Sequence, residues 1–182
     1  MLVSFLIAFL LVFQIFLVLL FAVMLYILAR GLLGVPYVRT KKEYVDIMME
    51  LAGIQPGDVL VDFGSGDGAI VIEAAKTFGA KGIGFEYLRP LVWYAKICAI
   101  IAGVFSKIEF RRENFLSGKT LPKADVISSY LFPEVNAKLE PLLIRDYPSG
   151  TRVVSRTFLF PTLPLKESRT LGKETFYLYL IP

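Results

Sequence analysis

No charged side chain occurs before Arg30. The opening run, MLVSFLIAFLLVFQIFLVLLFAVMLYILA, offers only Ser4 and Gln14 as clearly polar groups. An α-helix needs about 20 apolar residues to cross the hydrocarbon core of a bilayer. This run exceeds that length, so it predicts a retained transmembrane anchor over residues 1–30 that contacts lipid through 2–29 and spans with some tilt. A cleaved signal peptide would start with basic residues and carry a shorter apolar core, and no basic side chain precedes this run. Arg30, Arg39, Lys41 and Lys42 follow it. Cationic flanks stay inside, so the expectation is a single-pass membrane protein whose remaining chain faces the cytoplasm or its matrix equivalent. Gln14 reads as a tolerated polar residue that could hydrogen-bond a partner helix.

Beyond the span the chain changes character. Residues 31–39, with Gly31, Gly34 and Pro36, read as a connector, and residues 40–182 as one domain with a short C-terminal part. TKKEYVDIMMELAGI has helical spacing, a Thr40–Glu43 capping-box pattern and Gly53 at its end. Strand-like and helix-like segments then alternate: DVLVDF, GAIVIEAAKTFG, KGIGFEY, RPLVWYAKICAIIAG, KIEFRREN, ADVISSYL, PEVNAKLEPLLIRDY and GTRVVSRTFLF. That alternation predicts an α/β fold, a Rossmann-like, mostly parallel sheet with flanking helices. Only PTLPLKESRTLG separates the fifth strand from a last one, KETFYLYLIP, so the final pairing is expected to be antiparallel. Helix 89–103 carries only Arg89 and Lys96 as charges; packing against the sheet accounts for this best, with partial bilayer contact as the lesser reading.

Several function classes drop out on composition. The sequence has no histidine, which removes Ser-His triads, Cys-His pairs and histidine metal sites, and no metal is expected. Cys98 is the lone cysteine, fits a reducing compartment and reads as buried packing. The net charge of +4 comes without a long Lys/Arg run, so no nucleic-acid partner is expected. The SGKT at 117–120 is not a phosphate loop, because Glu113 occupies the position of the required first glycine.

The chemistry concentrates at residues 62–68, DFGSGDG, directly after the first strand. Ligands of open α/β sheets sit beyond the carboxyl ends of the strands. A dinucleotide loop has the spacing G-x-G-x-x-G and holds a pyrophosphate. Here Gly64, Gly66 and Gly68 alternate, and Asp62 and Asp67 lie among them. Two carboxylates would repel a pyrophosphate and suit a ligand bearing an ammonium and a sulfonium. S-adenosylmethionine (SAM) is such a ligand. The expected cofactor-binding residues are Asp62, Gly64, Ser65, Gly66 and Gly68, with Glu86 for the ribose hydroxyls and Asn114, at the end of the third strand, for the adenine edge.

The chain resembles the seven-strand (class I) SAM-dependent methyltransferases. More narrowly, it is similar to the membrane-anchored protein lysine methyltransferases of the ATP synthase c-subunit and adenine nucleotide translocase type and their prokaryotic relatives. The resemblance runs from about Val35 to Phe160, on VPYVRT, VDFGSGDGAIV, GFEY, ENFL, YLFPEVNAKLEPLL and GTRVVSRTFLFP, together with the preceding apolar segment. It implies a SAM site at Asp62, Gly64, Gly66, Glu86 and Asn114. Ala69 stands where relatives often have arginine, and Asn114 where they have an acid. SSYLFPE is not the [D/N]-P-P-[Y/F] motif of enzymes acting on nucleic-acid or glutamine amides.

On the acceptor side, Tyr130 could hold an amine by hydroxyl or ring face and Glu134 could pair with the incoming ammonium. Both are the candidate catalytic residues. Pro36, Tyr37 and Thr40 are candidates for closing over the cofactor. The expected function is N-methylation of a lysine on a membrane protein near the bilayer. Two alternatives remain: a methyltransferase for an apolar small molecule such as a quinone or phospholipid, and a membrane-tethered SAM-binding module without catalysis.

Overall fold

The computed structural model describes residues 2–32 and 38–182; the expected roles of Pro36 and Tyr37 lie outside them. The chain divides into two compact units, Met1–Val38 and Arg39–Pro182. In the first, helix α1 (Leu2–Leu32) contains one stretch, Phe5–Tyr26, long and apolar enough to cross a membrane, with mean hydropathy 3.1. Its side chains from Phe5 to Tyr26, Gln14 included, are exposed.

The second unit begins with α2 (Lys42–Ala52). Gly53 ends it at φ 58, and its N–H donates to the Glu50 and Met49 carbonyls, as expected of a left-handed cap. The capping box does not form. Lys41 occupies the cap position without a side-chain bond, Thr40 is buried one residue earlier, and Glu43 lies 3.8 Å from Lys41 instead. Arg152 ties the far end of α2 down: its guanidinium donates to the Ala52 and Gly53 carbonyls and to Asp58 at 2.7 Å.

The sheet contains β1 (Val59–Phe63), β2 (Lys81–Glu86), β3 (Ile108–Arg112), β4 (Val126–Ser129), β5 (Arg152–Arg156), β6 (Leu165–Leu171) and β7 (Glu174–Leu180), in the order β3-β2-β1-β4-β5-β7-β6. The first five strands pair in parallel; β7 runs antiparallel to β5, and β6 antiparallel to β7. The intervening helices are α3 (Ala69–Thr77), α4 (Arg89–Ile101) and α5 (Pro133–Asp146).

Successive residues of a strand face opposite sides of a sheet, and the core divides by that parity. Leu60, Val126 and Val154 join Met48, Val71, Ala74, Ala95 and Ala99 of α2, α3 and α4 on one side. Their neighbours Val61, Ile127 and Val153 join Leu139 and Leu143 of α5 on the other. Burying one such Leu, Val or Met contributes about 1.5–3 kcal/mol, so both layers are needed to hold the central strands.

Two strands differ from the sequence reading. β6 lies inside the segment read as a connection, because every one of its residues is exposed and no apolar alternation marks it. β5 stops at Arg156 rather than Phe160, because Thr157 adopts φ 68, a left-handed conformation that no strand continues.

Candidate active site

The strand order turns back between β2-β1 and β4-β5, which opens a crevice beyond the carboxyl ends of β1 and β4. The loop leaving β1 borders it. The N–H groups of Gly64 and Ser65 both donate to the Phe85 carbonyl at 2.9 and 2.8 Å, folding the chain back across β2. Gly64, Gly66 and Gly68 sit at φ 83, 54 and 78, where an L side chain is strained. Gly68 has a second reason to be bare: a Cβ there would lie 2.7 Å from the Phe110 ring. Gly68 then caps α3 and accepts the Ile72 N–H at 2.9 Å.

Glu86, at the end of β2, braces this loop. One oxygen accepts the Gly66 N–H at 3.0 Å and the other the Leu88 N–H at 2.8 Å. A carboxylate has about four acceptor sites, so capacity remains for hydroxyl donors.

Asp62 is buried at the end of β1, where its register partner on β4 is Ser128. The Ser128 hydroxyl donates to one Asp62 oxygen at 2.7 Å; the other oxygen has no partner. Burial pushes the Asp62 carboxyl up to about 7, and the charges of Glu86 and Asp67 add to that, against the Ser128 hydrogen bond. Ser65 Oγ and Asp67 Oδ2 are also buried without a hydrogen bond. Arg39 Nε comes within 3.1 Å of Asp67 Oδ2, at ion-pair distance but without hydrogen-bond alignment. Asp62 Oδ2 and Ser65 Oγ, without a partner, and Asp67, paired only with Arg39, give the loop an acceptor-rich, acidic lining. Such a lining fits a cationic, amine-bearing ligand and repels a phosphate.

The next segment of the crevice follows β4. Tyr130 succeeds Ser129, and Leu131 lies directly against the loop: a Cβ on Gly64 would meet its Cδ2 at 2.8 Å. The Tyr130 ring stacks near Phe158 at 6.1 Å between centroids, and the Arg156 guanidinium sits 4.2 Å from its centre. Arg156 is itself buried, lies 4.5 Å from the Tyr44 ring, and is paired with Glu174 at 3.1 Å. Behind this, buried Asn136 accepts from Ser129 and donates to the carbonyls of Phe158 and Leu159, so the exits of β4 and β5 are stapled together.

The fold thus brings Asp62, Ser65, Gly64, Gly66, Gly68, Glu86 and Tyr130 to one end of the sheet. Asn114 does not end a strand: it lies two residues past β3, exposed, with its Oδ1 accepting the Leu116 N–H in a turn. Glu134 is exposed in the first turn of α5 and, among the described residues, has no hydrogen-bond or ion-pair partner. Cys98 is half-buried rather than enclosed. Sequence reasoning missed Ser128, Arg156 and Asn136. The signal for the first two was polar or charged side chains at the carboxyl ends of otherwise apolar strands, VISS and RVVSR.

Residues 62–167 match the ANTKMT methyltransferase domain. The chain is 34% identical over 152 residues to a protein-lysine N-methyltransferase of Saccharolobus islandicus (strain REY15A), covering 81% of this chain and 94% of that one. It belongs to the ANTKMT methyltransferase family.

This methyltransferase is also 35% identical over 130 residues to the adenine nucleotide translocase lysine N-methyltransferase of Mus musculus, covering 71% of this chain and 56% of that one. Among solved structures it is similar to an RNA methyltransferase from Salinibacter ruber in complex with S-adenosyl-L-homocysteine, at 42% identity and TM-score 0.77, over 80% of this chain and 94% of that one. The seven-stranded sheet is therefore a methyltransferase sheet, and the enzyme is SAM-dependent.

Proposed function

We propose that this enzyme methylates lysine side chains of a membrane protein held close to the bilayer. The observation that carries the proposal is the match to a protein-lysine N-methyltransferase over most of both chains. The apolar stretch Phe5–Tyr26 supports the location: as an anchor it would keep the crevice near embedded acceptors and raise their effective concentration. In this reading residues 1–30 are the anchor, 31–39 the connector and 40–182 the methyltransferase domain, whose catalytic side faces the cytoplasm or its matrix equivalent.

SAM, when bound, supplies a methyl group on a sulfonium. Asp62 and Ser65 would hold the donor's cationic end, Gly64, Gly66 and Gly68 would let backbone approach it, Glu86 would accept its ribose hydroxyls, and Asn114 would meet its adenine edge. Alignment is the main demand of such a transfer, worth about 7–11 kcal/mol in effective molarity. Tyr130 would direct the acceptor amine by its hydroxyl and ring face. Glu134, exposed at the start of α5, would attract the ammonium before it loses its proton.

A second reading, methylation of RNA, is favoured by the Salinibacter ruber structure. Against it stand a net charge of only +4 and the SSYLFPE sequence at β4. The purified full chain, incubated with methyl-labelled SAM and host membranes, host RNA and host lipid extract in parallel, separates these. The expected result is label in membrane protein, recovered as methyl-lysine after hydrolysis. Label in RNA or extracted lipid replaces the acceptor; SAM binding with no label anywhere leaves a non-catalytic module.

A further inference from the structure

The fully buried residues of α4 are Val92, Ala95 and Ala99, on the side that faces the sheet and the glycine loop. Small residues at those positions bring the helix close to the sheet and leave its opposite side to solvent. A soluble enzyme would place charged or polar residues there. This helix places Trp93, Ile97, Ile100 and Ile101, which are 63%, 50%, 59% and 81% exposed, with Tyr94 beside them. At about 100° per residue, Ile100, Trp93, Ile97, Ile101 and Tyr94 fall on one unbroken arc of about 120°. Tyr87 and Phe105, just before and after the helix, are exposed as well.

The charges on α4 and its immediate flanks all have one sign. Arg89 and Lys96 fall on its Ile100 border, Lys107 follows the helix, and no Asp or Glu occurs between Glu86 and Glu109. On the Ile101 side, a cavity of about 710 Å³ is lined by Ile101, Cys98 and the cations Arg39, Lys41, Lys42 and Lys76. Asp67 and Glu73 line it too, paired with Arg39 and Lys42, so four cations face two acids there.

We infer that the outward face of α4 is a bilayer-docking surface, seated in the headgroup region of an anionic membrane with Trp93, Ile97, Ile100 and Ile101 at acyl depth. An apolar arc with interfacial Trp and Tyr and a rim of Lys and Arg is the pattern of a helix lying in the interface. Charge complementarity selects lipid over a second copy of the chain. Two copies meeting through this face would bring Arg89, Lys96 and Lys107 together with no acid on the helix to pair them, whereas anionic headgroups attract each of these cations. The inference rests on the reading that the Phe5–Tyr26 helix anchors the chain; docking α4 would add a second contact and fix which way the crevice faces.

Trp93 is the only tryptophan, so it reports on this face without labels. The full chain is reconstituted in vesicles of phosphatidylcholine with phosphatidylglycerol, and of phosphatidylcholine alone, with and without bromine on the acyl chains. In anionic vesicles, brominated chains should quench Trp93 emission about twofold or more and acrylamide should lose access to it. High salt or neutral lipid should weaken both effects. Ile97→Glu and Ile101→Glu, at exposed positions, should abolish the bromine quenching while flotation with vesicles and the melting temperature stay unchanged. Trp93 open to acrylamide and untouched by bromine in a chain that still floats overturns the docking surface and spares the anchor. Shielding from acrylamide without bromine quenching overturns it in favour of self-association. A chain that does not float with either vesicle overturns anchor and surface together.

Discussion

Asp62 is costly to the empty protein. Its carboxyl is held up to about 7, from an ordinary 3.8, mainly by burial. Between those values the folded protein keeps a proton that the unfolded chain has released. Stability of the ligand-free enzyme should therefore fall as pH rises from about 4 to about 7 and level off above, by about 4 kcal/mol at most. A cationic donor prefers the ionised form, so SAM affinity should rise across the same window. Asp62→Asn should remove both slopes, raise the melting temperature of the empty enzyme at pH 8 and weaken SAM binding at least tenfold. Thermal melts and calorimetric titrations at pH 6 and 8 check all of this; an Asn variant that binds SAM with unchanged affinity contradicts the assignment.

Arg156 makes a second residue-scale prediction. Its planar guanidinium lies between the Tyr44 and Tyr130 rings, with Nη1 buried and unsatisfied. An ammonium cannot reproduce that stacked plane. Arg156→Lys should lower kcat about tenfold or more through a displaced Tyr130, while the Kd for SAM stays within about twofold. An equal loss in SAM binding would make Arg156 a general structural residue instead.

At the scale of elements, two glycines give a controlled comparison. Gly68 and Gly118 have nearly the same left-handed φ, 78 and 81, but a Cβ at Gly68 meets the Phe110 ring and one at Gly118 meets open space. The left-handed penalty is thus shared. Gly118→Ala should cost about 1 kcal/mol and Gly68→Ala about 2–4 kcal/mol, read by denaturant unfolding. The same comparison explains what sequence could reveal. β1 and β4 were legible because their apolar side chains are buried on both faces; the loop was legible because alternating glycines beside acids have few uses. β6 was not, since an edge strand with no buried residue carries no hydrophobic period. The early end of β5 hinges on one φ at Thr157, and the failed capping box on Thr40 being buried ahead of the helix; both are decided by tertiary packing. Arg156 could be seen as a charge, but its partners, Tyr44 and Tyr130, come from separate elements.

On the proposed reading, three features distant in sequence would work together: the apolar helix as an anchor, the crevice at the sheet reversal as the SAM site, and the aromatic exit from β4 as the acceptor's entry. Truncation of residues 1–30 should leave SAM affinity within about twofold, because the loop and Glu86 belong to the second unit, while slowing methylation of membrane-embedded acceptors by about 10²-fold through lost effective concentration. Rates on detergent-solubilised acceptor should change much less. The most direct measurement is intact-mass analysis of membrane proteins from host cells carrying the wild-type gene or Asp62→Asn. The account predicts that at least one membrane protein carries whole methyl increments on a lysine only with the wild type. Identical membrane-protein masses in the two strains, with a methyl difference appearing in RNA or lipid, would contradict it.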